Sequence, residues 1–307
     1  MSDTETPVDP RADDEFRFLA SDAARVHRVA PLPAVERVRA EAGDGRGLSG
    51  LRFGPPADPE LVALHGAGLG AHSFDAVLLS LDRPAVALDL PGHGRSDWRA
   101  DADYRPERLA PDVAAALERL APRPVALLGH SLGGLTAALT AAARPELVTR
   151  LIVVDITPGV VPSGGARSVA EFIRGRRDYG TIDEIVDRAI EFRIGRDRSA
   201  LARGVALNTR RRPDGRLEWA HHLAHLDALP GDGSGDPQPY APIWAALQAL
   251  EIPIALIRAA SGIVDRRLTD EWRERLPGSE VLTLPGPHNL HEAAPEALAR
   301  AVRDLSR

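Results

Sequence analysis

Between Arg123 and Arg144 the chain carries no formally charged side chain: PVALLGHSLGGLTAALTAAA. Such a run is long enough for a membrane helix. Its interior argues otherwise. GHSLGG splits it into a short aliphatic piece, Val125–Leu128, a glycine turn, and an Ala/Leu piece of helical character, Leu132–Ala143. The segment therefore reads as a buried strand, a sharp turn and a helix. No other segment constrains the fold as much, because a strand that is apolar on both faces belongs inside a sheet with helices on both sides.

The same rhythm recurs along the chain. Candidate strands are Val35–Arg39, Gly47–Phe53, Leu61–Leu64, Ala85–Asp89, Val125–Leu128, Leu151–Asp155, Ile254–Arg258 and Val281–Leu284. Helical patterns occupy Pro106–Leu120, Leu132–Ala143, Asp270–Leu276 and Glu292–Leu305, the first with Leu109, Val113, Leu117 and Leu120 on one face. This alternation predicts an α/β fold with a mostly parallel sheet flanked by helices. Residues 158–250 break the rhythm. They show no obvious strand, carry helical patterns near Val169–Arg177, Ile182–Ile194 and Trp244–Leu250, and are punctuated by GVVPSGG, RRRPDGR and LPGDGSGDPQP. We read residues 158–250 as a helical cap or lid inserted into a core made of 16–157 and 251–307. Residues 1–15, acidic and without an apolar centre, read as a disordered tail.

Composition narrows the chemistry. The chain has no cysteine, and every one of its 38 Lys+Arg residues is arginine. Thiol nucleophiles, disulfides, cysteine metal sites, Schiff bases and phosphate-loop lysines are all excluded. A net charge of −6 argues against an electrostatic nucleic-acid binder. With no secretory signal or membrane span evident, the expectation is a cytoplasmic protein that does not engage membranes, as a monomer or a homodimer. The excess arginine of 167–216 could belong to an anion-selective lid or to a solvated helical face.

Gly129-His130-Ser131-Leu132-Gly133 matches G-x-S-x-G. A serine at a tight strand-to-helix turn stands exposed at a helix N-terminus, and small flanking residues let strand and helix approach. There the Leu132 N–H and the helix dipole can stabilise an oxyanion. A second glycine turn, His65-Gly66-Ala67-Gly68, follows the strand Leu61–Leu64 and makes Ala67 N–H the expected second donor. Of ten histidines, His288 lies in a turn after the last strand, on the sheet edge that carries Ser131. It is the expected base. His65 and His93 read as structural hydrogen-bonders, His291 as a capping or packing residue, and Asp89 as a residue that fixes a turn.

HGAG (65–68), DLPGHGRSDW (89–98), GHSLGG (129–134), VVDITP (153–158) and PHNLHEAAP (287–295) together resemble the α/β-hydrolase fold superfamily, in the order that family uses. The resemblance implies an eight-stranded, mostly parallel sheet and a variable cap between strands six and seven. It also implies a Ser-His-acid triad, the serine setting the chain apart from members with an aspartate nucleophile. The acid departs from the common pattern. Its usual slot after strand seven, counted from His288, falls on Ser261, and the nearby Asp265 starts the next helix. A subgroup of small esterases in the family places the acid after strand six in a V-V-D-I-x-P context, which Asp155 matches. The triad expected is Ser131–His288–Asp155, with Asp265 as the alternative acid and the Ser261 hydroxyl as a helper bonded to His288 or Asp155.

Gly66, Leu69, Phe74, Trp98, His130, Ile156 and Ile263 are the candidate pocket residues, although Phe74 and Trp98, as lone aromatics, could equally be packing. His221, His222 and His225 with Asp227 have a spacing that could offer metal ligands, but no zinc-protease glutamate accompanies them, and a polar cap helix is the plainer reading. The pair His222 and Asp227 also fits an acyltransferase spacing, read as coincidence. No metal or organic cofactor is expected. These observations point to a serine hydrolase acting on a small to medium carboxylic ester, thioester or lactone. The alternatives are a cofactor-free peroxidase, a C–C bond hydrolase or a ligand-binding receptor on the same fold.

Overall fold

A computed structural model describes residues 15–55, 57–161, 172, 176–192, 197–227 and 240–306. The acidic tail up to residue 14 and most of the expected helix Val169–Arg177 lie outside the described residues. The main sheet is built from β1 (Val35–Glu41), β2 (Gly47–Phe53), β3 (Leu61–Leu64), β4 (Ala85–Leu88), β5 (Val125–His130), β6 (Val148–Val154), β10 (Ile254–Ser261) and β11 (Glu280–Pro287). Its order is β1-β2-β4-β3-β5-β6-β10-β11. β2 runs antiparallel to both of its neighbours, and every other pairing is parallel.

The apolar runs build two cores at once. Successive side chains in a strand point to opposite faces. Val62, Leu64, Leu127, Leu151, Val153 and Leu256 join the core shared with helices α3 (Pro106–Leu120) and α4 (Leu132–Ala143). Their chain neighbours Leu61, Ala63, Ala126, Leu128, Ile152, Val154 and Ala255 join the opposite core. That second core includes α1 (Leu19–Arg25), α2 (Asp75–Leu81) and the C-terminal helix. A charge at any of these positions would be buried on one face or the other, which is why the runs carry none.

Three details differ from expectation. Glu15, placed in the disordered tail, is instead held in the fold, its carboxylate between Arg37, Arg95 and His72 and its side chain 6% exposed. The last helix is broken in two, Leu290–Ala293 and Pro295–Leu305. Pro295 lacks an N–H and is suited to a first helical position, so it begins a helix and does not continue one. The helix expected at Asp270–Leu276 starts earlier, at Arg266, capped by Asp265.

The segment between β6 and β10 is not wholly helical. It holds helices α5 (Ile182–Glu191), α6 (Arg198–Asn208) and α7 (Ile243–Gln248), but also a small antiparallel sheet of β7 (Asp178–Tyr179), β9 (Leu217–Trp219) and β8 (Thr209–Arg211) in that order. Strands of two or three residues are too short to show an alternating pattern. Pro213-Asp214-Gly215, read only as punctuation, is the β8–β9 turn, with Gly215 at φ +81° and Arg212 N–H bonded to Arg216 O at 2.8 Å. The arginines of this segment meet carboxylates: Arg176 with Glu184, Arg198 with Asp187, Arg210 with Glu218 and Arg216 with Asp178. Arg203 reaches out of α6 to Asp22 and Asp75 of the core. This lacing suits a solvated, ion-paired surface better than an anion-selective lid.

Candidate active site

The sheet brings the motifs to one edge. Leu64 pairs with Gly129, His130 with Val154, and Val154 with Ile257, so β3, β5 and β6 end almost in register, while β10 runs on to Ser261. The residues that follow are His65–Gly70, Ser131, Asp155 and the turn 259–263. These are the carboxyl ends of parallel strands, where open α/β sheets form their binding crevices.

Ser131 sits at φ +52°, ψ −122° between β5 and α4. It is one of five non-glycine residues at positive φ among the described residues, and Asp155, at φ +48°, is another. Backbone in this region costs on the order of 1–3 kcal/mol per residue and persists only where the surroundings enforce it. They do so here. The Ser131 N–H is bonded to Val154 O at 3.1 Å, and Ser131 O accepts from Gly134 and Leu135. A Cβ on Gly129 would strike the Gly133 carbonyl, and one on Gly133 would strike the Leu64 carbonyl, so strand and helix can meet this closely only with glycine at both places. As first residue of α4, Leu132 has an N–H with no acceptor inside the helix.

Asp155 is wholly buried, and its carboxylate is fully engaged. Oδ1 accepts from Ala259 N–H at 2.9 Å, and Oδ2 accepts from Ile263 N–H at 2.9 Å and from His288 Nδ1 at 2.8 Å. Because a carboxylate only accepts, the proton of that last bond lies on Nδ1, leaving Nε2 with a lone pair that can accept a proton. His288 follows β11 and is 30% exposed, so the acid is dry while the imidazole opens towards solvent. The alternative acid, Asp265, is engaged elsewhere. It caps the helix Arg266–Arg275, accepting from Leu268 N–H at 2.8 Å, while its own carbonyl accepts from Thr269 Oγ1.

The helper role expected of Ser261 is not seen. β10 continues through Ser261, which pairs with Pro287 and is exposed, and its hydroxyl bonds neither His288 nor Asp155. The backbone on either side of it takes over that work, through Ala259 and Ile263. The residue that makes this possible is Gly262, which sequence reasoning missed. A Cβ there would overlap both carboxylate oxygens of Asp155. The pair Ser261-Gly262 in the strand-seven slot was the available signal: a small residue and a glycine let the turn close over an acid supplied by the neighbouring strand.

The 65–69 turn is held from three sides. His65 Nε2 accepts from Leu90 N–H at 2.9 Å, and its Nδ1–H donates to Gly66 O at 2.8 Å. His93 accepts from Gly68 N–H at 3.1 Å and donates to Pro91 O at 3.0 Å. Asp89 accepts from Ala71 N–H at 2.7 Å and pairs with Arg37. All three have the structural roles read from the sequence. Ala67 is exposed at the tip, and Gly66 lies against Ser131, since a Cβ on it would stand 3.2 Å from that of Ser131.

The other pocket candidates divide. Gly66, Leu69 and Ile263 remain at the edge, Ile263 at 40% exposure. Phe74 is fully buried against His291, with ring centroids 5.6 Å apart, and Ile156 is buried in the core against α4. Trp98 stacks on His222 at 4.2 Å with Arg210 over its ring. His130 is buried and directed at the His288 backbone. These four side chains are therefore packing or bonding elements, because each already has its contacts inside the fold. A surface depression of about 360 Å³ lies beside Trp98, lined by Gly94, Arg95, Ser96, Asp97 and Arg210, none of them a triad candidate.

The candidate metal ligands diverge as well. His222 Nδ1 meets Tyr104 Oη at 2.7 Å, His225 meets Trp219 O at 3.2 Å, and Asp227 is an exposed partner of Arg177. Among the described residues no group of three or more His, Asp or Glu is arranged to hold a metal ion. Around His288 the neighbouring imidazoles are neutral. Burial, then His291 and His288, hold His130 well below the usual histidine range, while burial and then His288 push His291 down to about 3.

A family model described as the alpha/beta hydrolase family matches residues 61–301. The chain belongs to the alpha/beta hydrolase family. It is 36% identical over 301 residues to Esterase Rv0045c of Mycobacterium tuberculosis, covering 95% of each chain. A solved structure of that esterase superposes with a TM-score of 0.81 at 35% identity, covering 95% of this chain and 98% of the other. A mouse sn-1-specific diacylglycerol lipase, ABHD11, is 27% identical over 80% of each chain. A solved E-2-(acetamidomethylene)succinate hydrolase shares the fold at 22% identity, with a TM-score of 0.77 over 89% of this chain and 99% of the other. The chain is thus a hydrolase of this family, and its near relative is an ester hydrolase. No helix among the described residues is long and apolar enough to cross a membrane.

Proposed function

We propose that this hydrolase cleaves a small-molecule carboxylic ester through an acyl-enzyme on Ser131, with His288 as general base and acid and Asp155 as the acid of the triad. The observation that carries the reading is the Asp155–His288 bond, 2.8 Å long and made by a buried carboxylate that also accepts from two backbone N–H groups. An acid fixed in this way holds the imidazole in the tautomer that can accept a proton at Nε2 and stabilises the imidazolium that results.

In this reading the reaction runs in two halves. Ser131 Oγ attacks the carbonyl carbon as its proton passes to His288 Nε2. The oxyanion is held by the Leu132 N–H, free at the start of α4, and by the Ala67 N–H on the opposite turn. His288 then protonates the leaving alkoxide, the acyl group stays on Ser131, and a water activated by the same imidazole releases the acid. Thioesters and lactones use the same groups.

A panel of p-nitrophenyl esters of increasing acyl length, run on wild type and Ser131→Ala together with fluorophosphonate labelling, tests the proposal. Turnover abolished in Ser131→Ala and a single label on Ser131 are expected. Undiminished turnover in the variant, or a folded wild type that resists the label, would overturn it.

A further inference from the structure

His130 precedes the nucleophile and closes β5. Its Nε2 lies 3.1 Å from the backbone carbonyl of His288, and the two rings are 4.5 Å apart, inclined at 45°. A carbonyl can only accept, so His130 carries its proton on Nε2 and donates it. The same carbonyl accepts from Leu290 N–H at 3.0 Å. The far nitrogen, Nδ1, is buried without a hydrogen-bond partner and faces Gly66, whose Cβ position would lie 3.0 Å from it. On its other side the ring meets His291 edge-on at 4.7 Å and 67°, and His291 in turn leans on Phe74.

We infer that His130 is a positioning residue for the reaction: a strut that ties the strand carrying the nucleophile to the backbone of the general base and so fixes the approach of His288 to Ser131. This rests on the Ser131–His288–Asp155 reading above. The chain needs such a tie. The β5 and β11 ends are not neighbours in the sheet; β6 and β10 lie between them. His288 follows directly on the end of β11, where Pro285 and Pro287 flank Gly286 and leave these three residues a single backbone N–H. Asp155 anchors the side chain of His288 from below, and His130 anchors its main chain from the side of Ser131. With both, the imidazole is held at two points. The ring suits the task because burial keeps it uncharged, so it adds no cation beside the base. It does not touch the reacting atoms, and its effect passes wholly through His288.

The test compares three substitutions. His130→Phe fills the space but removes the donor. His130→Gln returns an amide N–H near the Nε2 position. His130→Asn is polar but ends short of the carbonyl, and it serves in place of His130→Phe if that variant does not fold. For misplacement of an ångström or less, kcat for the p-nitrophenyl ester should fall about 30- to 100-fold in His130→Phe or His130→Asn, with KM within about twofold. In His130→Gln most of the rate should return. A merely structural role would not separate Gln from Phe in this way. Proton NMR of the same variants gives a readout independent of turnover. The downfield His288 Nδ1–H signal, bonded to Asp155, should persist in wild type and His130→Gln and broaden or move upfield in His130→Phe. If His130→Phe keeps kcat within twofold of wild type, or if His130→Gln falls as far as His130→Phe, the inference is wrong. If Ser131→Ala retains turnover, the triad reading has failed instead, and the NMR comparison still decides whether His130 orders His288.

Discussion

Two aspartates stand at neighbouring strand ends of this sheet and do opposite work. Asp155, after β6, turns into the sheet, is wholly buried and takes His288. Asp265, after β10, turns outward and spends its carboxylate on the first turn of the next helix. The difference lies in the backbone before and after each. Asp155 sits at φ +48° directly at the end of its strand, so its side chain is thrown against the β10 turn, where two N–H groups await it. Asp265 lies four residues beyond the end of β10, with extended backbone at φ −76°, ψ −174°, the usual conformation of an N-cap. The family can draw its acid from either strand end. In the triad proposed above, the strand-seven turn serves as the clamp for an acid supplied by its neighbour.

This contrast can be broken most severely at Asp155. Asp155→Asn removes the carboxylate that selects the His288 tautomer, and a fall in kcat on the order of 10⁴-fold is expected, with KM little changed, as read by steady-state ester hydrolysis. The clamp comes next. Gly262→Ala pushes a methyl group into the Asp155 carboxylate, so the acid or the turn must shift, and kcat should fall about 10²-fold. Ser261→Ala, at the neighbouring exposed position, would not share that overlap. The smallest effect belongs to Asp265. Asp265→Ala should cost about 1 kcal/mol of stability in urea unfolding, the ordinary value of a lost N-cap, while kcat/KM stays within about twofold. A stability loss without an activity loss at Asp265, and the reverse at Asp155, would sharpen the division into clamp, acid and cap.

Much of this was legible from the residues, for physical reasons. Strands such as Leu61–Leu64 and Val125–Leu128 feed both cores and must be apolar at every position, which leaves an unmistakable run. The elbow shows itself because only glycines at 129 and 133 allow its backbone contacts. Asp155 could be singled out by V-V-D-I-x-P, but its clamp could not. Ala259 and Ile263 act through backbone N–H groups, which leave no side-chain signature, and the nearby Ser261 offered a plausible hydroxyl that the strand in fact turns outward. The inserted sheet was hidden by its brevity. Glu15 was hidden because its value lies in distant partners, Arg37, Arg95 and His72, that no local pattern connects to it. Phe74, Trp98 and Ile156 make packing or stacking contacts that the sequence could not assign for a related reason: a lone aromatic or aliphatic near a motif says nothing about which way its side chain points.

The central claim is that Ser131 owes its reactivity to Asp155 through His288. The most direct measurement is the rate at which a fluorophosphonate phosphonylates Ser131, followed by intact mass, in Asp155→Asn and Asp265→Asn side by side. The account predicts labelling slowed by several orders of magnitude in the first and unchanged within about twofold in the second. Slow labelling of Asp265→Asn with near-normal labelling of Asp155→Asn would contradict it.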